Sequence, residues 1–240
     1  MTVEEHYANH LGDFYSWTVG DFVSKQAEQK TLFESLKIFP SGNRIAIDLG
    51  CGHGLQSVSL AQLGYEVKAI DFNPQLIGEL RINASGLPIE IFQDDILHLS
   101  NYADPYPELI VCMGDTITHL NSKEEILGLI TDCYSALAKG GKLVLSFRDY
   151  SNELTDTHRF IPVKSDDCRI LTCFLEYFPE TVRVTDLLHE KSTAGWIQKT
   201  SSYQKVRLSE TDIIRMLEGT GLTIAFNQLI NRLRVVVASK

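Results

Sequence analysis

The chain has 240 residues, 44% of them hydrophobic, enough to bury one large core or a core with an attached lobe. Asp and Glu outnumber Lys and Arg by 31 to 22, and the net charge of -9 argues against a partner gripped through its phosphates. The polar, acidic opening MTVEEHYANHLGDF lacks the pattern of a signal peptide, no apolar run is long enough to span a bilayer, and the five cysteines contain no C-x-x-C pair. A cytoplasmic protein without nucleic-acid or membrane partners and without a metal is therefore expected, its oligomeric state left open.

In chain order, His6 and His10 stand at helical spacing without the Glu of a zinc-protease helix, and read as a surface pair. From Asp21 to Phe39, apolar residues at helical spacing predict an amphipathic helix, broken by Pro40-Ser41-Gly42-Asn43. Short apolar runs then alternate with helical stretches. Strands are expected at 44–48, 65–71, 89–92, 108–113 and 142–150. Asn73-Pro74 marks one helix start, and Ser122 with Glu125 a capping box at another.

Between Ser151 and Leu208 the texture becomes β-branched and aromatic, with turns expected near Asp166-Asp167, Pro179-Glu180 and Thr193-Gly195. After it, Ser209 caps a helix, Gly221 stops it, and LRVVVAS ends the pattern as a strand. The expected fold is α/β and doubly wound, with a mostly parallel sheet and an antiparallel β insertion; ligands in such sheets sit beyond the carboxyl ends of the strands.

At the first of those ends, Asp48 opens the loop Leu49-Gly50-Cys51-Gly52-His53-Gly54, which runs into a helix. Glycines there let a ligand approach backbone N–H groups, and the G-x-G-x-G spacing with a leading acid differs from the usual dinucleotide fingerprint. Asp71 ends the next strand, where a carboxylate can accept both hydroxyls of a ribose, with Phe72 placed to stack on a purine. Asp95 and Ile96 follow the third strand, where Asp95 could accept from an adenine amino group while Ile96 contributes a backbone N–H.

The series DLGCGHG, AIDFN, FQDDI and LIVCMGD, in that order, resembles the class I S-adenosylmethionine-dependent methyltransferases from Arg44 to Tyr150 and again near the C-terminus. The resemblance implies a seven-stranded sheet with an antiparallel hairpin at one edge and S-adenosylmethionine as cofactor. Asp48, Gly50, Cys51, Gly52 and Gly54 would serve the methionine portion and its loop, Asp71 the ribose, Phe72, Asp95 and Ile96 the adenine, and Met113 the cofactor wall.

Within that family, Gly114 to Leu120 and Arg148 to Tyr150 resemble the glycine and sarcosine N-methyltransferases, whose motifs read G-N-S-x-x-H-L and H-R-N-Y-D. Asp115 replaces their Asn. An ionised Asp only accepts hydrogen bonds, so an amine or hydroxyl beside an acidic group would suit Asp115 and Arg148 together, as the two catalytic candidates. A similar likeness makes Lys25 a candidate for the methionine carboxylate and Tyr7 for the sulfonium. The implied layout is a helical lid at 1–43, a cofactor core at 44–150, an antiparallel insertion over the acceptor at 151–208, with Tyr203 facing the pocket, and a closing helix and strands at 209–240. The implied activity is methyl transfer to N or O of a small molecule carrying an anionic group. The alternatives are a protein or nucleic-acid acceptor, or a non-catalytic adenosyl-binding protein.

Overall fold

The computed structural model describes residues 1–240. The chain opens with α1 (Val3–Asn9), a 3-10 turn at Leu11–Phe14, α2 (Tyr15–Val19) and α3 (Phe22–Ser35). Helix α3 stops before the expected Phe39, because Lys37 takes a left-handed φ of 54° that turns the chain toward Pro40.

Strands and helices then alternate: β1 (Ile45–Leu49), α4 (Leu55–Gln62), β2 (Glu66–Asp71), α5 (Pro74–Asn83), β3 (Ile89–Gln93), β4 (Leu109–Cys112), α6 (Lys123–Ala136) and β5 (Lys142–Phe147). Asn73 caps α5 by accepting from the Gln75 and Leu76 N–H groups, with Pro74 in the first turn where a missing N–H costs nothing. At α6 only half of the expected capping box forms. Ser122 accepts the Glu125 N–H, while the Glu125 carboxylate takes the N–H of Asn121.

Next come β6 (Phe160–Ser165), β7 (Arg169–Tyr177), β8 (Thr181–Ser192) and β9 (Gly195–Val206), then α7 (Glu210–Thr220), β10 (Thr223–Ile230) and β11 (Leu233–Ser239). Ser209 and Asp212 form a reciprocal cap on α7, and Gly221 ends it at φ 99°.

The main sheet has seven strands in the order β10-β11-β5-β4-β1-β2-β3, parallel except that β11 runs against both neighbours. Period-two burial along the strands feeds both faces. Ile47, Ile110, Leu143 and Leu145 pack toward Ile126, Ile130, Ile213 and Leu217 of α6 and α7. The alternate residues Ala46, Val111 and Val144 pack toward Phe33 and Leu60 of α3 and α4. No helix is long and apolar enough to cross a membrane.

Strands β6 to β9 form a separate antiparallel sheet. Its chain leaves and rejoins the core at one place: the Tyr150 N–H donates to Leu208 O (3.0 Å), and the Arg207 guanidinium donates to Tyr150 O and Ser151 O. The N-terminal segment packs on this sheet, Phe14 against Leu171 and Leu188, and Val3 beside Tyr150 and Tyr203. His6 and His10 are accordingly buried, correcting the surface pair. His6 Nδ1 lies 2.8 Å from Ser201 Oγ, and the Nε2 atoms of His6 and His10 lie 3.3 and 3.8 Å from Asp186.

Candidate active site

A cavity of about 770 Å³ opens beyond the carboxyl ends of β1 to β5. It is walled by the glycine loop, the tips of β2, β3 and β4, the N-terminal segment and the turn between β10 and β11.

The loop after β1 closes because three glycines take φ between 53° and 103°. A side-chain carbon on Gly50 would fall 2.3 Å from Thr116, and one on Gly54 2.3 Å from buried Leu80. Gly52 instead turns its backbone to the cavity beneath Tyr15. The Gly52 N–H donates to Asp71 Oδ2 and the Asn73 N–H to Asp71 Oδ1, both at 2.8 Å. Each oxygen keeps acceptor capacity for a hydroxyl. Burial raises the Asp71 carboxyl above its ordinary range, opposed by the backbone donors of Asn73, Gly52 and Phe72.

Asp95 caps the 3-10 segment after β3 by accepting the Leu97 N–H, and it lines the cavity with Ile96. Beside it, Asp94 accepts from Tyr102 Oη and pairs with His98, which together hold its carboxyl down at about 2, the Tyr102 hydrogen bond contributing most. Tyr7, Cys51, Phe72 and Met113 also reach the wall. The Tyr7 ring sits 5.7 Å from Phe72, 5.8 Å from His119 and 6.1 Å from Tyr15, and burial lifts its phenol well above the usual range.

Several expected positions fall elsewhere. Asp48 is buried behind the loop, where its Oδ2 accepts from Ser57 Oγ at 2.6 Å; desolvation raises its carboxyl to about 7. Gly54 shapes the loop without reaching the cavity. Lys25 points outward and pairs with Glu28; the α3 residue on the cavity wall is Gln29, one turn on, which donates toward Met113 Sδ. His53 is buried beside Tyr15 and Phe22 and lines the cavity.

Asp115 and Arg148 also stand outside the cavity wall. Asp115 takes a left-handed φ of 78°, costly for a residue with a side chain, and its carboxylate accounts for the conformation. It accepts the Arg148 N–H (2.8 Å), the Tyr150 hydroxyl (3.3 Å) and the ammonium of Lys205 on β9. Arg148 has a half-exposed side chain whose Nε approaches Asp115 Oδ2 no closer than 3.9 Å. The Asp115 carboxylate thus makes an internal tie between the tips of β4 and β5 and the insertion. Lys205 was not recognisable in advance, because it lies in a strand whose register only folding sets against Asp115.

The His119 ring is on the cavity wall, stacked at 5.5 Å and 7° on Tyr203 of β9. Tyr203 therefore stands behind His119, one ring removed from the cavity it was expected to face. Burial, then the nearby Lys205 and His6, push the His119 imidazole well below its usual range, so it is neutral at ordinary pH.

Comparison with known proteins matches residues 46–141 to a methyltransferase domain family. Over 116 residues the chain is 34% identical to a ubiquinone biosynthesis O-methyltransferase of Xanthomonas axonopodis pv. citri, covering 48% of this chain and 46% of that protein. It is 23% identical to a glycine/sarcosine N-methyltransferase of Aphanothece halophytica over 152 residues, 61% of this chain and 57% of the other. The chain thus spans about half the length of these curated relatives. A crystal structure of an S-adenosylmethionine-dependent methyltransferase from Clostridium acetobutylicum superposes with a TM-score of 0.73 at 15% identity, covering 96% of both chains. The matched domain lies on the strands and loops that build the cavity, and the seven-stranded order extends the likeness to the whole chain. Residues 46–141 thus match a methyltransferase domain, and the chain as a whole has the fold of the class I S-adenosylmethionine-dependent methyltransferases.

Proposed function

We propose that this chain transfers a methyl group from S-adenosylmethionine to a nitrogen or oxygen of a small molecule. The observation that carries this reading is one cavity joining the glycine loop, Asp71 and Asp95 at three successive strand ends. The residues present fit the cofactor. Asp71 would take the ribose hydroxyls on its free acceptor sites, Phe72 and Ile96 would flank the purine, and Asp95 would accept from its amino group. The neutral side chains of Gln29 and Gln56, with Tyr7 and Tyr15, would surround the methionine end. When bound, S-adenosylmethionine supplies a methyl group on a positively charged sulfur.

The protein's own contribution is position and exclusion of water. Aligning two reactants can supply several kcal/mol of the barrier, and an aliphatic or aromatic wall removes competing water. Residues 1–43 would serve as a lid and 151–208 as the support behind the acceptor end. This support rests on His6 joined to Ser201 and on Tyr203 stacked on His119. The test is calorimetric titration with S-adenosylhomocysteine, followed by a methyl-transfer screen. Absence of binding at millimolar ligand would refute the reading.

A further inference from the structure

The charged residues on the cavity wall are Glu4, Asp94 and Glu125, besides Asp71 and Asp95 assigned above to the cofactor; neither a lysine nor an arginine is among its lining residues. The cations just beyond it, Lys205 and Arg148, both face Asp115. A carboxylate or phosphate on the acceptor would enter this acidic field without a cation to pair with, whereas an amine is drawn into it. The rings of Tyr7, Tyr15 and Phe72 add negative faces that favour a cationic group nearby.

Beside them, the neutral His119 ring makes no hydrogen bond to the protein through either nitrogen, and its Nδ1 is fully buried. An uncharged imidazole offers one lone pair to an N–H donor.

Resting on the methyltransferase reading above, we infer that the acceptor is a primary or secondary amine free of acidic groups, and that His119 accepts a hydrogen bond from its N–H. The amine reacts as the free base, its ammonium proton having passed to bulk water. Its lone pair forms the new N–C bond as the C–S bond breaks, and that electron pair stays on sulfur. The positive charge thereby moves from sulfur to nitrogen, and the product leaves as a methylated ammonium. His119, by holding the N–H, turns the lone pair toward the methyl group; it is a positioning residue and takes no proton.

The experiment uses matched probes: ethanolamine, glycine and ethylene glycol; tyramine, tyrosine and tyrosol; glucosamine, glucuronic acid and glucose. Each is titrated calorimetrically into the full chain saturated with S-adenosylhomocysteine, then offered with S-adenosylmethionine and followed by mass spectrometry. In at least one set the amine should bind and be methylated in preference to its acidic and hydroxylic partners by roughly tenfold or more. Preference for an acidic or hydroxylic member, or no amine binding and methylated while S-adenosylhomocysteine binds, overturns the inference. Failure of S-adenosylhomocysteine to bind counts instead against the methyltransferase reading. For the responding amine, His119→Ala should lower kcat with S-adenosylhomocysteine affinity retained, and His119→Gln, which keeps an acceptor, should recover part of the loss. Unaltered turnover in His119→Ala removes the assigned role.

Discussion

Lys205 on β9 brings its ammonium 2.5 Å from the Asp115 carboxylate at the tip of β4, and both side chains are buried. Removing one partner of such a pair strands the other charge away from water, at a cost of about 3–5 kcal/mol. Lys205→Met should therefore lower the melting temperature strongly, and adding Asp115→Asn should restore much of it, since Asn can still accept the Arg148 N–H. A double variant no more stable than Lys205→Met would show that the carboxylate matters for reasons other than charge pairing.

Asp71→Asn should weaken S-adenosylhomocysteine binding by roughly 1.5–3 kcal/mol, the scale of hydrogen bonds to a charged group. Because Asp71 also holds the Gly52 and Asn73 N–H groups, a modest fall in melting temperature is expected as well. Unchanged affinity measured by calorimetry would confine Asp71 to shaping the loop.

Gly54→Ala should destabilise the fold by about 1–3 kcal/mol, because the new carbon meets buried Leu80 while φ stays at 103°. Gly78→Ala, in α5 where nothing lies within 4 Å of the added carbon, is the control and should be neutral or slightly stabilising. Equal melting temperatures for the two variants would contradict the packing described.

Buried Asp48 has its carboxyl raised to about 7, above the value near 4 expected in the unfolded chain. The folded state then holds a proton that the unfolded state has lost, so this group's stabilising contribution is complete below about pH 4 and fades as pH rises to about 7. Asp48→Asn keeps a partner for Ser57 and abolishes that dependence. Its melting temperature relative to wild type should rise between pH 4 and 7 and level off above. A difference that stays constant across this range would rule out the linkage.

The alternation of apolar runs with capped helices made the sheet and most of the cavity floor legible, because local period and turn chemistry agree with the fold from β1 to β5. Gly50, Gly52 and Asp71 could be read as a ligand loop since their chemistry depends on residues close in sequence. The N-terminal lid was expected to be helical, but the burial of its residues before 20 against the antiparallel sheet was not expected. The buried ones, His6, His10 and Phe14, are polar or widely spaced and acquire their surroundings from β7 to β9. The setting of Asp115 was not legible for the same reason: its partner Lys205 is ninety residues away and enters through a strand pairing that no local pattern encodes.

The neck at Tyr150 and Leu208 sets where the sheet of β6 to β9 leaves and rejoins the core backbone. A segment that departs and returns across one hydrogen-bonded pair can lengthen, shorten or be exchanged without shifting the register of β5 or the start of α7. What such an exchange must carry with it is a cation at the position of Lys205, a flat side chain at the position of Tyr203 to back His119, and the groups that seat the N-terminal segment, Leu171, Leu188, Asp186 and Ser201.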